Sequence, residues 1–150
     1  MKSLRTKYFD GRLSHPLFQL WRGMMRRCYD KKKSDYNYYG GRGITVESSW
    51  HDFWKFVRDV SPRPDSHQLD RIDNNKGYSK DNCRWVTSKE NSNNTRGNTI
   101  VSYADVDLTI SQFADILEIN YSTLRSRVRR TGSMFNPQRD RKLEKVLSKL

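Results

Sequence analysis

Asp70 and Asn91 are the two side chains of this chain best placed, by type and spacing, to do chemistry together. Asp70 ends a β-prone run that begins near Leu69. A polar loop with Gly77-Tyr78 breaks the chain, and Arg84-Trp85-Val86-Thr87 is β-prone again. Ser88 is a fair helix N-cap, with Asn91 three residues on. Strand, loop, strand and helix start make a small ββα unit, which would bring the end of the first strand to the first turn of the helix. Two oxygen ligands of the kind a hard divalent cation prefers would then meet across the unit. The plainer reading is an Asx-rich turn followed by a buried Trp85.

The residues Asp70-Arg71-Ile72-Asp73, then Asp81-Asn82-Cys83-Arg84-Trp85-Val86-Thr87, then Asn91 carry a resemblance. The stretch resembles the motif of the HNH, or ββα-metal, nucleases, commonly Asp-His-Ile-Asp, an asparagine-rich loop, Glu-Asn-Leu-Arg-Trp-Val-Thr, and a helix with a late Asn or His. The resemblance covers most of residues 15–130. It implies that Asp70 and Asn91 hold a divalent metal ion, Mg²⁺ or Mn²⁺, and that Asn82 braces the loop against the first strand. The implied activity is metal-dependent hydrolysis of DNA phosphodiester bonds, as nicking where one candidate centre acts alone. The implied biology is that of a phage homing endonuclease in the cytoplasm of an infected bacterial host.

One position departs from the motif. The family's general base is the His that follows the metal-binding Asp, and here that position is Arg71, which cannot accept a proton at neutral pH. Three readings stay open. His67 activates the water, although an offset of three from Asp70 along a strand would turn it to the opposite face. Arg71 instead clamps the scissile phosphate as a catalytic residue beside Asp70, Asn82 and Asn91, while a metal-bound or solvent water attacks. Or the unit no longer cuts, and the chain is a sequence-specific DNA-binding or regulatory protein that keeps the nuclease fold.

Charge points the same way as the motif. Twenty-nine Lys and Arg stand against 17 Asp and Glu, a formal net charge of +12, with a pI near 9.9. Such a surplus implies a polyanionic partner, and double-stranded DNA is the default. No run of eighteen or so apolar residues, lipidation signal or signal-peptide core is present, so no membrane partner is expected and the cytoplasm is the expected location. Cys28 and Cys83 are the only cysteines and lack paired C-x-x-C spacing, so neither a disulfide framework nor a structural zinc site is indicated. A mean hydropathy of −0.99 and 34% hydrophobic residues leave little material for one large core. The expectation is an α+β chain with two lobes, a nuclease-like domain over 1–94 and a linker with a small helical DNA-binding domain over 95–150, acting as a monomer.

The elements that must position the unit follow in order. From Ser14-His15-Pro16 the pattern is helical, with Leu17, Leu20 or Trp21, Met24 and Cys28 as an apolar stripe and Arg22, Arg26 and Arg27 largely outside it. Tyr36, Tyr38, Tyr39, Gly40, Gly41, Arg42 and Gly43 interleave aromatic, glycine and cation. That loop can bring backbone and Arg42 to a phosphate, or be a turn into an ordinary strand over 44–47 with the tyrosines as packing. Ser49 to Asp52 has capping-box spacing before an apolar helix containing Trp50, Phe53, Trp54, Phe56, Val57 and Val60. Pro62 and Pro64 then force an extended connection to Leu69.

Beyond Asn91, the polar stretch 92–98, with Arg96 and Gly97, reads as a linker that tracks DNA. An apolar run over 99–103 precedes a helix over 108–117, a turn at 118–120 and a helix over 121–130. Two short helices around a three-residue turn follow the helix-turn-helix plan. Phe113 or Ala114, Leu117, Ile119, Leu124 and Val128 can share one core, leaving Tyr121, Ser122, Thr123, Arg125, Ser126, Arg127, Arg129 and Arg130 for base edges and phosphates, with Arg84 added from the first lobe. This stretch is similar to the C-terminal DNA-binding repeat of many intron- and phage-encoded endonucleases. Residues 139–150 read as an amphipathic tail helix.

Overall fold

The computed structural model describes residues 11–103 and 106–133, so the expected tail helix over 139–150 lies outside the described residues. The described residues are mixed helix and strand with two small antiparallel sheets, and the chain divides into two compact units at Asn91/Ser92, three residues before the expected boundary. No helix among the described residues is long and apolar enough to cross a membrane.

The first unit is built on α1 (Phe18–Tyr29) and α2 (Phe53–Val60). Leu17, Met24 and Cys28 recur at helical spacing and pack with Trp50, Phe53, Phe56 and Val60, joined by Ile44, Val46 and Tyr78. The half-buried and buried indoles all donate: Trp21 to the Trp50 carbonyl at 2.7 Å, Trp50 to Asp59 Oδ2 at 3.0 Å, and Trp85 to the Val60 carbonyl at 2.6 Å. These bonds keep large rings in the core without a stranded N–H. Trp54, expected in this core, is instead 43% exposed with His15 edge-on to its ring.

Local chemistry moves several expected boundaries. Ser49 does not cap α2, because residues Ser48–His51 wind as a 3₁₀ turn and its hydroxyl donates to Glu47. Asp52, extended at ψ 121, is the cap and accepts from the Trp54 and Lys55 amides. Residues 44–47 are not a strand of a sheet, making one parallel bridge between Val46 and Tyr78. Gly77 lies so close to the Thr45 carbonyl that an added Cβ would fall 2.6 Å from that oxygen. Gly40 is fixed likewise, since a Cβ there would overlap the Cys28 carbonyl. Close packing on α1 therefore accounts for this glycine without a phosphate.

Next come β1 (Gln68–Arg71) and β2 (Cys83–Val86), antiparallel, and α3 (Ser88–Asn93). The N-cap of α3 is Thr87 rather than Ser88. The Thr87 hydroxyl accepts from the Glu90 amide at 3.3 Å, while the Glu90 carboxylate accepts from the Thr87 amide at 2.8 Å, a reciprocal capping box.

The second unit contains β3 (Ile100–Tyr103) paired with β4 (Val106–Thr109), then α4 (Ile110–Ile116) and α5 (Tyr121–Thr131). The expected helix start at Leu108 gives way to strand, because Thr109 and Gln112 form a full capping box that begins the helix at Ile110. Ile110, Phe113, Ala114, Leu117 and Leu124 are buried together, with Ile119 and Val128 against them. Residues 92–99 are not a loose linker. Asn98 Nδ2 donates to the Ser92 and Asn93 carbonyls at 2.7 and 2.9 Å, and Thr109 Oγ1 donates to Asn93 Oδ1 at 3.1 Å. The polar composition that suggests a solvated chain here satisfies the turn's own backbone.

Candidate functional site

The hairpin has two faces, because side chains alternate along a strand and directly opposed residues share a side. The register pairs Leu69 with Trp85 and Arg71 with Cys83, and Leu69, Cys83 and Trp85 pack on the core. Gln68 with Val86, and Asp70 with Arg84, therefore occupy the opposite face. That face carries the polar chemistry.

Asp70 is 6% exposed, and its Oδ2 lies 3.4 Å from Nε and 3.5 Å from Nη2 of Arg84. The Arg84 guanidinium, a candidate for DNA, is thus paired with Asp70 at the rim of the unit. Asn91 reaches the same face from α3, donating through Nδ2 to Gln68 Oε1 at 2.5 Å. Gln68 stands two residues before Asp70, on the same side of β1. With Nδ2 committed, the oxygen of the Asn91 amide is the atom it can present to a cation.

Asn82 is buried and uses its whole amide on the β1–β2 loop. Its Nδ2 donates to the Asp73 and Gly77 carbonyls at 3.1 and 2.8 Å, and its Oδ1 accepts from the Asp73 amide at 2.9 Å. It positions the loop rather than facing a substrate. Arg42 ties a second loop to this one, donating to the Tyr38 carbonyl at 3.2 Å and to Asn75 Oδ1 at 2.9 Å.

Arg71 is turned inward, which removes the geometry for a clamp on a phosphate held at Asp70. It is 6% exposed, donates to the Lys76 carbonyl at 2.9 Å, and lies 4.8 Å from the ring centre of Tyr78 and 5.2 Å from that of Tyr39. The two rings stack at 6.5 Å, and Arg27 enters the same cluster, 5.1 Å from Tyr39 and donating to the Tyr78 hydroxyl at 3.2 Å. Arg27, expected outside the α1 stripe, is half-buried because aromatic faces receive its charge. Burial pushes the Tyr78 hydroxyl above its usual range and the Cys83 thiol to about 11.

His67 stands just outside the hairpin. It immediately precedes β1, after a left-handed Ser66 at φ 59. Thr87, which follows β2, holds the Glu90 carboxylate through its amide. Glu90 is drawn below the usual carboxylate range chiefly by the Thr87 backbone and hydroxyl, with Arg84 and His67 adding to the effect. The His67 Nδ1 lies 2.7 Å from the Asp65 carbonyl, which can only accept. A neutral His67 therefore carries its proton on Nδ1 and its lone pair on Nε2.

On α5, Tyr121, Ser122, Thr123, Arg125, Ser126, Arg129 and Arg130 are exposed and Arg127 is half-buried, while Arg96 is exposed on the turn before β3. Ser122 is partly used up, since its amide and hydroxyl both donate to Asn120 Oδ1, the helix cap. No acidic residue occurs within α5 itself.

Among the described residues no group of three or more His, Cys, Asp or Glu could hold a metal ion. The candidate donors are the carboxylate of Asp70 on β1 and the amide oxygen of Asn91 on α3. Mg²⁺ keeps several waters and takes one or two protein carboxylates plus substrate phosphate, so this donor set fits an ion completed by a nucleic-acid phosphate. Gln68 and Glu90 escaped the sequence reading, although the two-residue step from Gln68 to Asp70 could have revealed the first. Comparison with protein-family models, curated proteins and solved structures finds no match to this chain.

Proposed function

We propose that the chain is a metal-dependent DNA endonuclease of the HNH (ββα-metal) kind, with β1, β2 and α3 as its ββα unit and α4 and α5 as a helix-turn-helix that holds duplex DNA. The observation that carries the reading is the approach of Asn91, through Gln68, to the face of β1 that bears the buried Asp70. A bound Mg²⁺ or Mn²⁺ would polarise the scissile phosphate and acidify a water. Asp70 and Asn91 would hold the ion, Arg84 orients the Asp70 carboxylate, and Asn82 fixes the loop between the strands. His67, whose Nδ1 lies against the Asp65 carbonyl and whose ring adds to the pull on the Glu90 carboxyl, is the nearest histidine in sequence and the candidate proton acceptor. The surplus of +12 and the arginines of α5 supply DNA affinity.

A second reading is favoured by one observation, the burial of Arg71 at the family's general-base position. On it the protein binds a specific duplex and does not cut. Duplexes selected by the protein from a random library, cloned into supercoiled plasmid and incubated with Mg²⁺ or Mn²⁺, separate the two. Metal-dependent conversion to nicked circles is expected; binding without any strand break would leave the second reading standing.

A further inference from the structure

The second unit contains a cleft of about 340 Å³ that the reading above does not use. One wall comes from Ser92, Gly97 and Thr99, and the other includes Ser111, Tyr121 and Arg125. Tyr121 and Arg125 stand four residues apart on α5, so ring and guanidinium project from one side of the helix. Both are exposed. The facing wall is preformed, because Asn98 clamps the backbone of 92–93 and Asn93 takes the Thr109 hydroxyl. None of the described residues lining the cleft is acidic, and Arg125 is their one cation.

A lone guanidinium beside an aromatic ring, among hydroxyls and amides and with no carboxylate, selects a phosphate ester joined to something that stacks. The volume falls at the lower end of the roughly 300–1,000 Å³ typical of small-molecule sites. We infer that this cleft takes one nucleotide unit of a bound DNA strand, its phosphate on Arg125 and its sugar or base against Tyr121. Residues 92–99 are then a wall of the nucleic-acid site instead of a spacer. This rests on the proposal that the chain binds DNA and adds where one strand runs. A free mononucleotide shares the chemistry and is the other source to separate.

Gly97 makes the test clean. Gly97 lines the cleft and a Cβ built there meets nothing within 4 Å, so a side chain can be added at its wall without a clash. Duplex binding measured by fluorescence anisotropy is expected to weaken about tenfold or more in Gly97→Glu, by charge and by filling, and to hold or tighten in Gly97→Lys. Tyr121→Ala is expected to weaken it at least about fivefold through lost stacking. Thermal unfolding of each variant should match the unmodified protein. If the unmodified protein binds duplex and Gly97→Glu binds equally well, the cleft is not on the strand's path and the inference fails. If the unmodified protein binds no duplex at any low salt concentration, the DNA reading itself fails. A third arm titrates dAMP: saturable binding that Gly97→Glu abolishes and that duplex does not displace would overturn the strand assignment in favour of a free nucleotide.

Discussion

Asp70 and Arg71 are neighbours in the chain and lie on opposite faces of β1, Asp70 with Arg84 and Asn91's side of the hairpin, Arg71 on the stacked rings of Tyr39 and Tyr78. Strand alternation explains how a cation can follow Asp70 in the chain without touching the face that bears Asp70. It also separates two kinds of mutational effect that adjacent residues would otherwise share.

Arg71 is expected to matter for stability. Arg71→Ala removes a charge-assisted hydrogen bond to the Lys76 carbonyl and two ring contacts, a loss of about 1.5–3 kcal/mol for the bond alone. In a unit of this size each kcal/mol lowers the melting temperature by about 4–8 °C. Arg71→Lys should recover only part, since an ammonium neither spans two rings nor forks. Arg71→His places an imidazole on the core face and should not raise nicking. A gain of metal-dependent cleavage in Arg71→His would put the side chain at the reacting phosphate and undo this assignment.

Asn82 serves three backbone groups, and its loss strands them. Asn82→Ala leaves the Asp73 amide and the Asp73 and Gly77 carbonyls without their partner, at about 1–3 kcal/mol for each group that water cannot reach. Hydrogen exchange of the Asp73 amide should speed up far more than that of the amides in α5. Equal acceleration in both units would mean that the loop is not braced by this side chain.

The parts legible in the sequence are those set by short-range rules. Asp70, Asn82 and Asn91 emerge from strand alternation, an Asx-rich loop and a helix start that all lie within 22 residues. The core of α4 and α5 emerges from helical spacing. What stayed hidden needed partners far along the chain. The inward turn of Arg71 depends on Tyr39, and the burial of Arg27 on Tyr78, 51 residues away. Cap positions at Asp52 and Thr87 were displaced because several consecutive residues can cap, and only the backbone decides which one turns extended. Residues 106–109 pair with β3 although their apolar spacing also suits a helix, since Thr109 and Gln112 start α4 later.

Acid should act through Asp59. The Trp50 indole N–H, then Arg58, hold its carboxyl below the usual range. A folded value lower than the unfolded one, about 3.9, means that this contribution to stability is complete above that pH and is lost as pH falls toward the folded value. Asp59→Asn keeps an acceptor for the indole but cannot titrate, so its melting temperature should fall less steeply below about pH 4 than that of the unmodified protein. Parallel acid limbs for the two would show that Asp59 titrates alike in both states.

The thiols should be silent in the folded protein. Cys28 is buried, and burial holds Cys83 at about 11, so at pH 8 only on the order of one thiolate in a thousand molecules is present at Cys83. Both are expected to react with a thiol reagent only as the first unit opens, at a rate that follows denaturant. Rapid labelling of Cys83 at pH 8 without denaturant would contradict its packing between Arg71 and the core.

The proton acceptor is the most exposed part of the nuclease proposal. His67 adds to the pull on the Glu90 carboxyl, and its Nδ1 lies against the Asp65 carbonyl, leaving Nε2 to receive a proton from water. A positioned base typically contributes about 10²–10⁴-fold, so His67→Ala should lower the rate of metal-dependent nicking by at least about a hundredfold. DNA affinity should stay within a few-fold, because the basic surface and not this imidazole binds the backbone. Added imidazole should restore part of the lost rate, a rescue that mere loosening of the hairpin would not give. Asp70→Ala supplies the contrast: it should abolish nicking with no rescue by imidazole, and should also weaken Mn²⁺ binding measured by electron paramagnetic resonance in the presence of DNA. Full activity in His67→Ala beside an inactive Asp70→Ala would keep the metal site and remove His67 from the reaction, leaving solvent to take the proton.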